Sequence, residues 1–443
     1  MKVTLSFALV ASLLTVQCRS IETVPDAGPP ALGSGQVAFV NVNVIPMDRE
    51  RVLADQTVVV TNGRITAVGP AARTTVPPNA IRVDGRGKYL TPGLAEMHGH
   101  VPAANPNAVL TPENVLFMYI AGGATTVRGM QGHPSHLPLR QRVESGELIG
   151  PRLYLSSPPL SGNNATDAAT AEQLVRNAKQ AGYDHLKVHE NLSKTAYDAI
   201  VKTAREVGLE WGGHVSVHVG VRGAIAARQS TIDHLDDYVE GLEGDESKIA
   251  ELAKLTRDAG VAVVPTMPLW EVLRGLHAPA SMNDRAELRY MPPQTRQNWA
   301  NTVGQTHANA DRAAAQKEIT LRNRILKALS DAGALVLLGS DAPQLYSVPG
   351  FSLQREMETM VEAGMTPFQV LQSGTINVAK FHKNESETGT VAVGRRADLL
   401  LLDANPLQDI RNMNRKAGVM VKGRWLPWPE IQQRLDQIAA AYR

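Results

Sequence analysis

"LTPGLAEMHGH", residues 90–100, is the stretch on which the reading of this chain turns. An apolar run leads into two histidines, His98 and His100, with Gly99 between them. On an extended backbone, side chains two apart point the same way, so both imidazoles can face one ion. A chain with twelve histidines in 443 residues also produces such a pair by chance. The surrounding pattern has to decide.

Beyond it the chain alternates apolar runs with helical stretches. "ATTVRGM", "HLKVH", "LEWGGHV", "TIDHL", "VAVVPTM" and "ALVLLGSDA" read as buried strands. Between them, "AATAEQLVRNAKQAG", "SKTAYDAIVKTAREVG", "DESKIAELAKLTRDAG" and "KEITLRNRILKALSDAG" read as helices, each closing on a glycine cap. Repeated β-α units specify a parallel sheet, and over residues 91–384 the expected closure is a (β/α)8 TIM barrel. Residues 270–316, after the seventh strand, exceed a simple connection and read as a lid over the barrel mouth.

The two ends read differently. Residues 36–90 carry short β-rich runs, with Asn62-Gly63 as a hairpin signal, and residues 385–430 repeat that character. The expected fold is therefore α/β, a TIM barrel with a small β-sandwich domain built from both chain ends. Residues 431–443 read as a C-terminal helix.

Lys+Arg minus Asp+Glu is 45 − 43 = +2, which provides no basic field for nucleic acid. An apolar content of 43% is that of an ordinary globular chain. Lys2 and the apolar run before Gln17 have the layout of a signal peptide over residues 1–18. Cys18 stands where a bacterial lipoprotein is lipidated, although Gln17 replaces the usual small residue. Residues 19–35 read as a flexible linker. The expectation is an exported protein: periplasmic, secreted, or an outer-membrane lipoprotein touching the membrane only through that anchor. Cys18 is the sole cysteine, so an internal metal site must rest on nitrogen and oxygen donors.

In a barrel, residues at the carboxyl ends of the strands converge on one mouth. His98 and His100, Lys187, His214, His234 and Asp341 all fall at such ends, spread over five strands. Taken singly each has an ordinary reading: Lys187 as a salt-bridged lysine, His214 as a core histidine, Asp341 as a helix N-cap. Together, a metal centre satisfies all six. "HVSVH" also offers His218, four residues from His214, as a helical partner, but the run is β-branched.

With these positions in view, "LTPGLAEMHGH" resembles the first-strand motif of the amidohydrolase superfamily, and "GSDAP" resembles its last-strand aspartate motif. "LRQRVESGELIGPRLYLSS", "HVSVHVGVRGAIAARQSTIDHLDDY" and "TINVAKF…TGTVAVGRRADLLLLDANPL" are similar to the imidazolonepropionase-like branch, which includes metal-dependent Xaa-Pro dipeptidases. The resemblance implies that His98, His100, His214, His234 and Asp341 are metal ligands. It further implies that Lys187, carboxylated by CO2, bridges two divalent ions, zinc foremost, with Mn, Co or Fe as alternatives. True imidazolonepropionases lack that lysine. The implied reaction is amide hydrolysis by a metal-bridged hydroxide, with Asp341 as proton shuttle, on a dipeptide, an N-acyl amino acid or a cyclic amide. Ester or lactone hydrolysis and heterocycle deamination use the same site, and a non-catalytic binding protein is the remote rival. Arg128, His189, His218 and Tyr346 are the candidate substrate contacts, with Arg128 or His189 meeting a substrate carboxylate. Trp270 reads as packing, Gly99 as room for the loop to approach the ion, and self-association into a homo-oligomer stays open.

Overall fold

Sixteen strands form in this computed structural model, which describes residues 35–442 apart from residue 309. The signal-type run, Cys18 and residues 19–34 of the linker lie outside the described residues. The first end supplies β1 (Gln36–Val44), β2 (Leu53–Thr61), β3 (Arg64–Pro70), β4 (Ile81–Asp84) and β5 (Tyr89–Pro92). The far end supplies β14 (Leu399–Leu402), β15 (Lys416–Val421) and β16 (Arg424–Pro427). They form one sheet in the order β16-β15-β14-β5-β1-β2-β3, with β4 pairing β1.

Asn62 and Gly63 take φ of 49° and 74° between β2 and β3, the conformation a two-residue hairpin demands. The sheet folds over its own core. Phe39 on β1 meets Trp425 on β16 edge-on, with ring centroids 5.1 Å apart. Val58, Val60, Leu399 and Leu401 fill the space between, all buried. Backbone bonds from Ile65 N–H to Arg395 O (2.9 Å) and from Ala397 N–H to Gly63 O (2.8 Å) join the two ends. This is the β-rich domain drawn from both termini.

The middle supplies the barrel: β6 (Leu94–Gly99), β7 (Ala124–Gly129), β8 (Arg152–Leu155), β9 (His185–Val188), β10 (Glu210–Gly213), β11 (Thr231–Asp233), β12 (Ala262–Val264) and β13 (Leu335–Val336). β6-β7-β8 form one parallel arc and β9 to β13 the other. Ser157 N–H donates to His185 O (2.9 Å) and Met97 N–H to Leu338 O (2.8 Å), closing both seams. The anticipated helices form and stop at the marked glycines; Gly182 and Gly333 take φ of 87° and 80° and return their N–H groups to the last turn.

Residues 270–316 are largely helical, running from the end of Met267–Leu273 through Pro279–Asn283 and Pro293–His307. The last helix, Trp428–Ala441, begins earlier than 431 because Pro429 suits a first turn, where its missing N–H has no partner to lose. It reaches the helix Pro112–Gly122, where Asn114 Nδ2 donates to the Tyr442 hydroxyl (3.1 Å). Among the described residues no helix is long and apolar enough to cross a membrane.

Candidate metal centre

β6 carries His98 and, just past its end, His100. The rings lie 5.4 Å apart, centroid to centroid. His98 also lies 4.8 Å from the His234 ring, and His214 lies 4.7 Å from His234. Asp341 joins them: its Oδ1 is 2.5 Å from His100 Nε2 and 3.6 Å from His98 Nε2, and its Oδ2 is 3.6 Å from His234 Nε2. Lys187 Nζ is 3.4 Å from His98 Nε2. All six side chains line one cavity of about 390 Å³ at the carboxyl ends of the strands.

Two of these residues hold an unusual backbone. His234 and Asp341 take φ of 72° and 60°, a left-handed conformation that non-glycine residues adopt at a cost of about 1–3 kcal/mol. His234 directly follows the last paired residue of β11, and Asp341 lies in the loop beyond β13; at each, the turn redirects the side chain towards the mouth. Two glycines admit the neighbours. A Cβ at Gly99 would stand 2.9 Å from the Tyr119 hydroxyl and 3.0 Å from Val127 Cγ1, so the room it leaves is for packing partners rather than for an ion. A Cβ at Gly213 would stand 2.5 Å from Val188 O and 2.8 Å from Lys187 Cδ, so the glycine before His214 makes space for the lysine.

The electrostatics suit a divalent ion. Burial pushes His98 well below the ordinary imidazole value, and Lys187 pushes it further. Burial and the neighbouring His214 bring His234 to about 3. Both rings are thus neutral and keep a lone pair for a metal. Burial also lowers the Lys187 amine. Burial alone would raise the Asp341 carboxyl, yet His98, His100 and the His100 hydrogen bond hold it well below the carboxylate range. His98, His234 and Asp341 each offer one donor atom within 4.8 Å of the others, and all three are buried. Neutral nitrogens around a fixed anionic oxygen are the donor set that zinc-like ions take.

Outer partners orient these groups. Asp233 Oδ2 lies 2.9 Å from His98 Nδ1, and Thr266 Oγ1 lies 2.6 Å from His234 Nδ1, which turns both Nε2 atoms inward. Glu190 Oε1 lies 3.5 Å from His214 Nδ1. Glu96 accepts from His98 N–H (3.1 Å) and from Ser340 N–H (2.8 Å), tying the two seam strands; burial raises its carboxyl to about 8. None of these partners was singled out from the sequence. For Asp233 and Glu96 a usable signal existed, a carboxylate inside an apolar strand that must find a partner.

The proposed substrate contacts fare unevenly. His189 lines the cavity, stacked on His214 at 4.5 Å, and burial lowers it to about 4. Arg128 does not line it. Its guanidinium is fully buried, 3.3 Å from Met97 O and 3.7 Å from Asp233 Oδ2, because the strand directs it inward as a counter-ion. Tyr346 turns into the protein and donates to Asn283 Oδ1 (2.7 Å). His218 sits exposed on a turn, with no helical pairing to His214. Trp270, read as packing, lines the cavity with Leu269 and Leu273, its ring 6.2 Å from His234.

A closed β/α barrel with histidine, lysine and aspartate donors at its strand ends defines a class of metal-site barrel proteins. The chain belongs to the Amidohydrolase family, whose pattern matches residues 89–426. Adenine deaminase 3 of Rhizobium meliloti is 24% identical over 361 residues, covering 79% of this chain and 52% of that protein. The chain thus spans about half the length of that relative. Bottromycin amidohydrolase superposes with a TM-score of 0.72 at 23% identity, over 92% of this chain and 90% of that one. A Xaa-Pro dipeptidase with methionine bound in its active site gives 0.67 at 20% identity, over 89% and 100%.

Proposed function

We propose that this chain is a metal-dependent hydrolase that cleaves a C–N bond, the amide of a small peptide-like molecule. The observation that carries the reading is the convergence of His98, His234 and Asp341 on one buried point, with Lys187 Nζ beside it. Family membership and likeness to an amidohydrolase and a dipeptidase support the bond type. His98, His100 and Asp341 would hold one divalent ion and His214 and His234 a second, with a carbamate on Lys187 between them. Such ions, zinc foremost, supply an activated water and a polarised carbonyl.

The protein's own part is proton handling and exclusion. The ionised Asp341 accepts a proton on a carboxylate oxygen during attack and returns it to the leaving nitrogen. His100 Nε2, 2.5 Å from Oδ1, keeps that carboxylate aimed. Trp270, Leu269 and Leu273, on the helix Met267–Leu273, form an apolar wall beside the centre, which displaces water.

The test is metal analysis together with a screen of N-acyl amino acids, Xaa-Pro dipeptides and peptide amides, scored by released amine. Amine release that depends on bound metal supports the reading. Ammonia release from a heterocycle without amide cleavage replaces it with the deaminase alternative, which the adenine deaminase relative keeps in view. A carbamate should give a 13C resonance after exchange into labelled bicarbonate. Export is part of the same proposal, resting on Lys2, the apolar run and Cys18. Cell fractionation and acyl labelling of Cys18→Ala test it.

A further inference from the structure

Beyond the six donors and His189, the cavity lining is mainly of three kinds. Pro159, Leu269, Trp270 and Leu273 are apolar; Glu190 and Asp236 are carboxylates. Gln131 and Gln344 add neutral amides. Among the described residues no arginine lines this space, and the one lysine, Lys187, is buried against His98 within the centre. The arginines nearby lie behind the lining; burial raises the Asp236 carboxyl while His214 and Arg322 oppose that rise, and Arg322 Nη1 has no hydrogen-bond partner. Arg322 and Arg274 lie over the Trp270 ring at 3.9 and 5.0 Å and both donate to Glu318 at 2.8 Å. Arg128 is committed to Met97 O and Asp233. Asp236 Oδ1 is buried with no hydrogen-bond partner, an acceptor left without a donor.

This asymmetry bears on what can bind. A substrate carboxylate would meet Glu190 and Asp236 with no arginine or lysine in the lining outside the centre, and like-charge juxtaposition is how sites reject partners. A ligand bringing N–H donors would find acceptors in these two lining carboxylates. We propose that the substrate is an apolar peptide-like amide that presents N–H donors, as a carboxamide or a protonated amine, to Glu190 and Asp236, and that carries no free carboxylate. The inference rests on the amide-hydrolase reading and narrows it, setting aside N-acyl amino acids and free dipeptides as preferred substrates. The donor-bearing end lies at the carboxylates and the apolar remainder against Trp270 and Leu273.

The experiment uses the metal-loaded full chain and one apolar dipeptide scaffold in three forms: free C-terminal acid, C-terminal amide and C-terminal aminoethylamide. Released amine gives kcat/KM for each. The amide and aminoethylamide should exceed the acid at least tenfold. An acid turned over as well as the amide, or better, overturns the proposal. Gln131→Arg, which adds a cation to the lining, should raise the acid relative to the amide at least fivefold; an unchanged ratio counts against the proposal. If none of the three is cleaved, the amide reading fails separately. Calorimetric titration of the same three compounds then reads the charge preference without turnover. Weaker binding of the acid by tenfold or more supports the proposal, and equal or tighter binding of the acid overturns it.

Discussion

Asp233→Asn isolates the support beneath the centre. Asp233 Oδ2 lies 2.9 Å from His98 Nδ1 and 3.7 Å from Arg128 Nη1, and all three side chains are at most 1% exposed. The amide keeps the volume and removes the charge. Two losses follow. Arg128 retains Met97 O at 3.3 Å, a neutral acceptor, and the Phe381 ring at 5.6 Å, and stranding one partner of a buried ion pair costs roughly 3–5 kcal/mol. His98 also loses the carboxylate 2.9 Å from its Nδ1, and removing such an outer partner weakens metal binding roughly 10–100-fold. The assay is urea unfolding of metal-free protein, followed by zinc competition against a chromophoric chelator. The double variant Asp233→Asn/Arg128→Met separates the terms. With the stranded cation gone, stability should recover by about 2 kcal/mol or more, while zinc affinity stays low. A double variant no more stable than Asp233→Asn alone, or a single variant with wild-type zinc affinity, would refute the reasoning.

The remaining expectations are shorter. Asp341→Asn should lower kcat roughly 10²–10⁴-fold, the usual worth of a positioned acid–base group, with part of the metal retained; near-normal kcat in loaded enzyme removes its shuttle role. Gly213→Ala should cost roughly 2–5 kcal/mol in urea, since φ of 121° and a Cβ 2.5 Å from Val188 O combine strain with overpacking; a loss under about 0.5 kcal/mol contradicts that. Burial lowers Lys416 to about 8 from 10.5. The folded state therefore binds fewer protons than the unfolded one, and stability rises between pH 8 and 10.5. At about 1.4 kcal/mol per unit, 10.5 − 8 = 2.5 units gives roughly 3 kcal/mol. Lys416→Met should flatten that rise and stabilise the protein at pH 7; an unchanged pH slope of stability argues against a buried neutral amine. Chelator treatment should abolish amine release, and Zn, Mn or Co should restore it; full activity in stripped protein would dismiss the metal centre.

Why the six clustered side chains were legible and their setting was not follows from range. His98 and His100 announce themselves through a two-residue period, and the helix glycines through cap chemistry, because both signals act within a few residues. The β-rich domain was readable for the same reason, since alternation and Asn62-Gly63 are local. Thr266 and Glu190 work on rings carried by other strands or loops, so nothing beside them in sequence distinguishes them, and Asp233 shows only that a carboxylate in an apolar strand needs a partner, not which one. Arg128 shows the converse. An arginine closing "TTVR" reads the same whether it meets a substrate or a counter-ion, and only the arrival of Asp233 from β11 decides for the counter-ion. That decision reaches the substrate. With Arg128 spent on Asp233 beneath the centre, the positive charge that a substrate carboxylate needs is absent from the cavity wall, and Glu190 and Asp236 are left to set its sign. The pairing that makes His98 a good ligand also turns the site away from free acids.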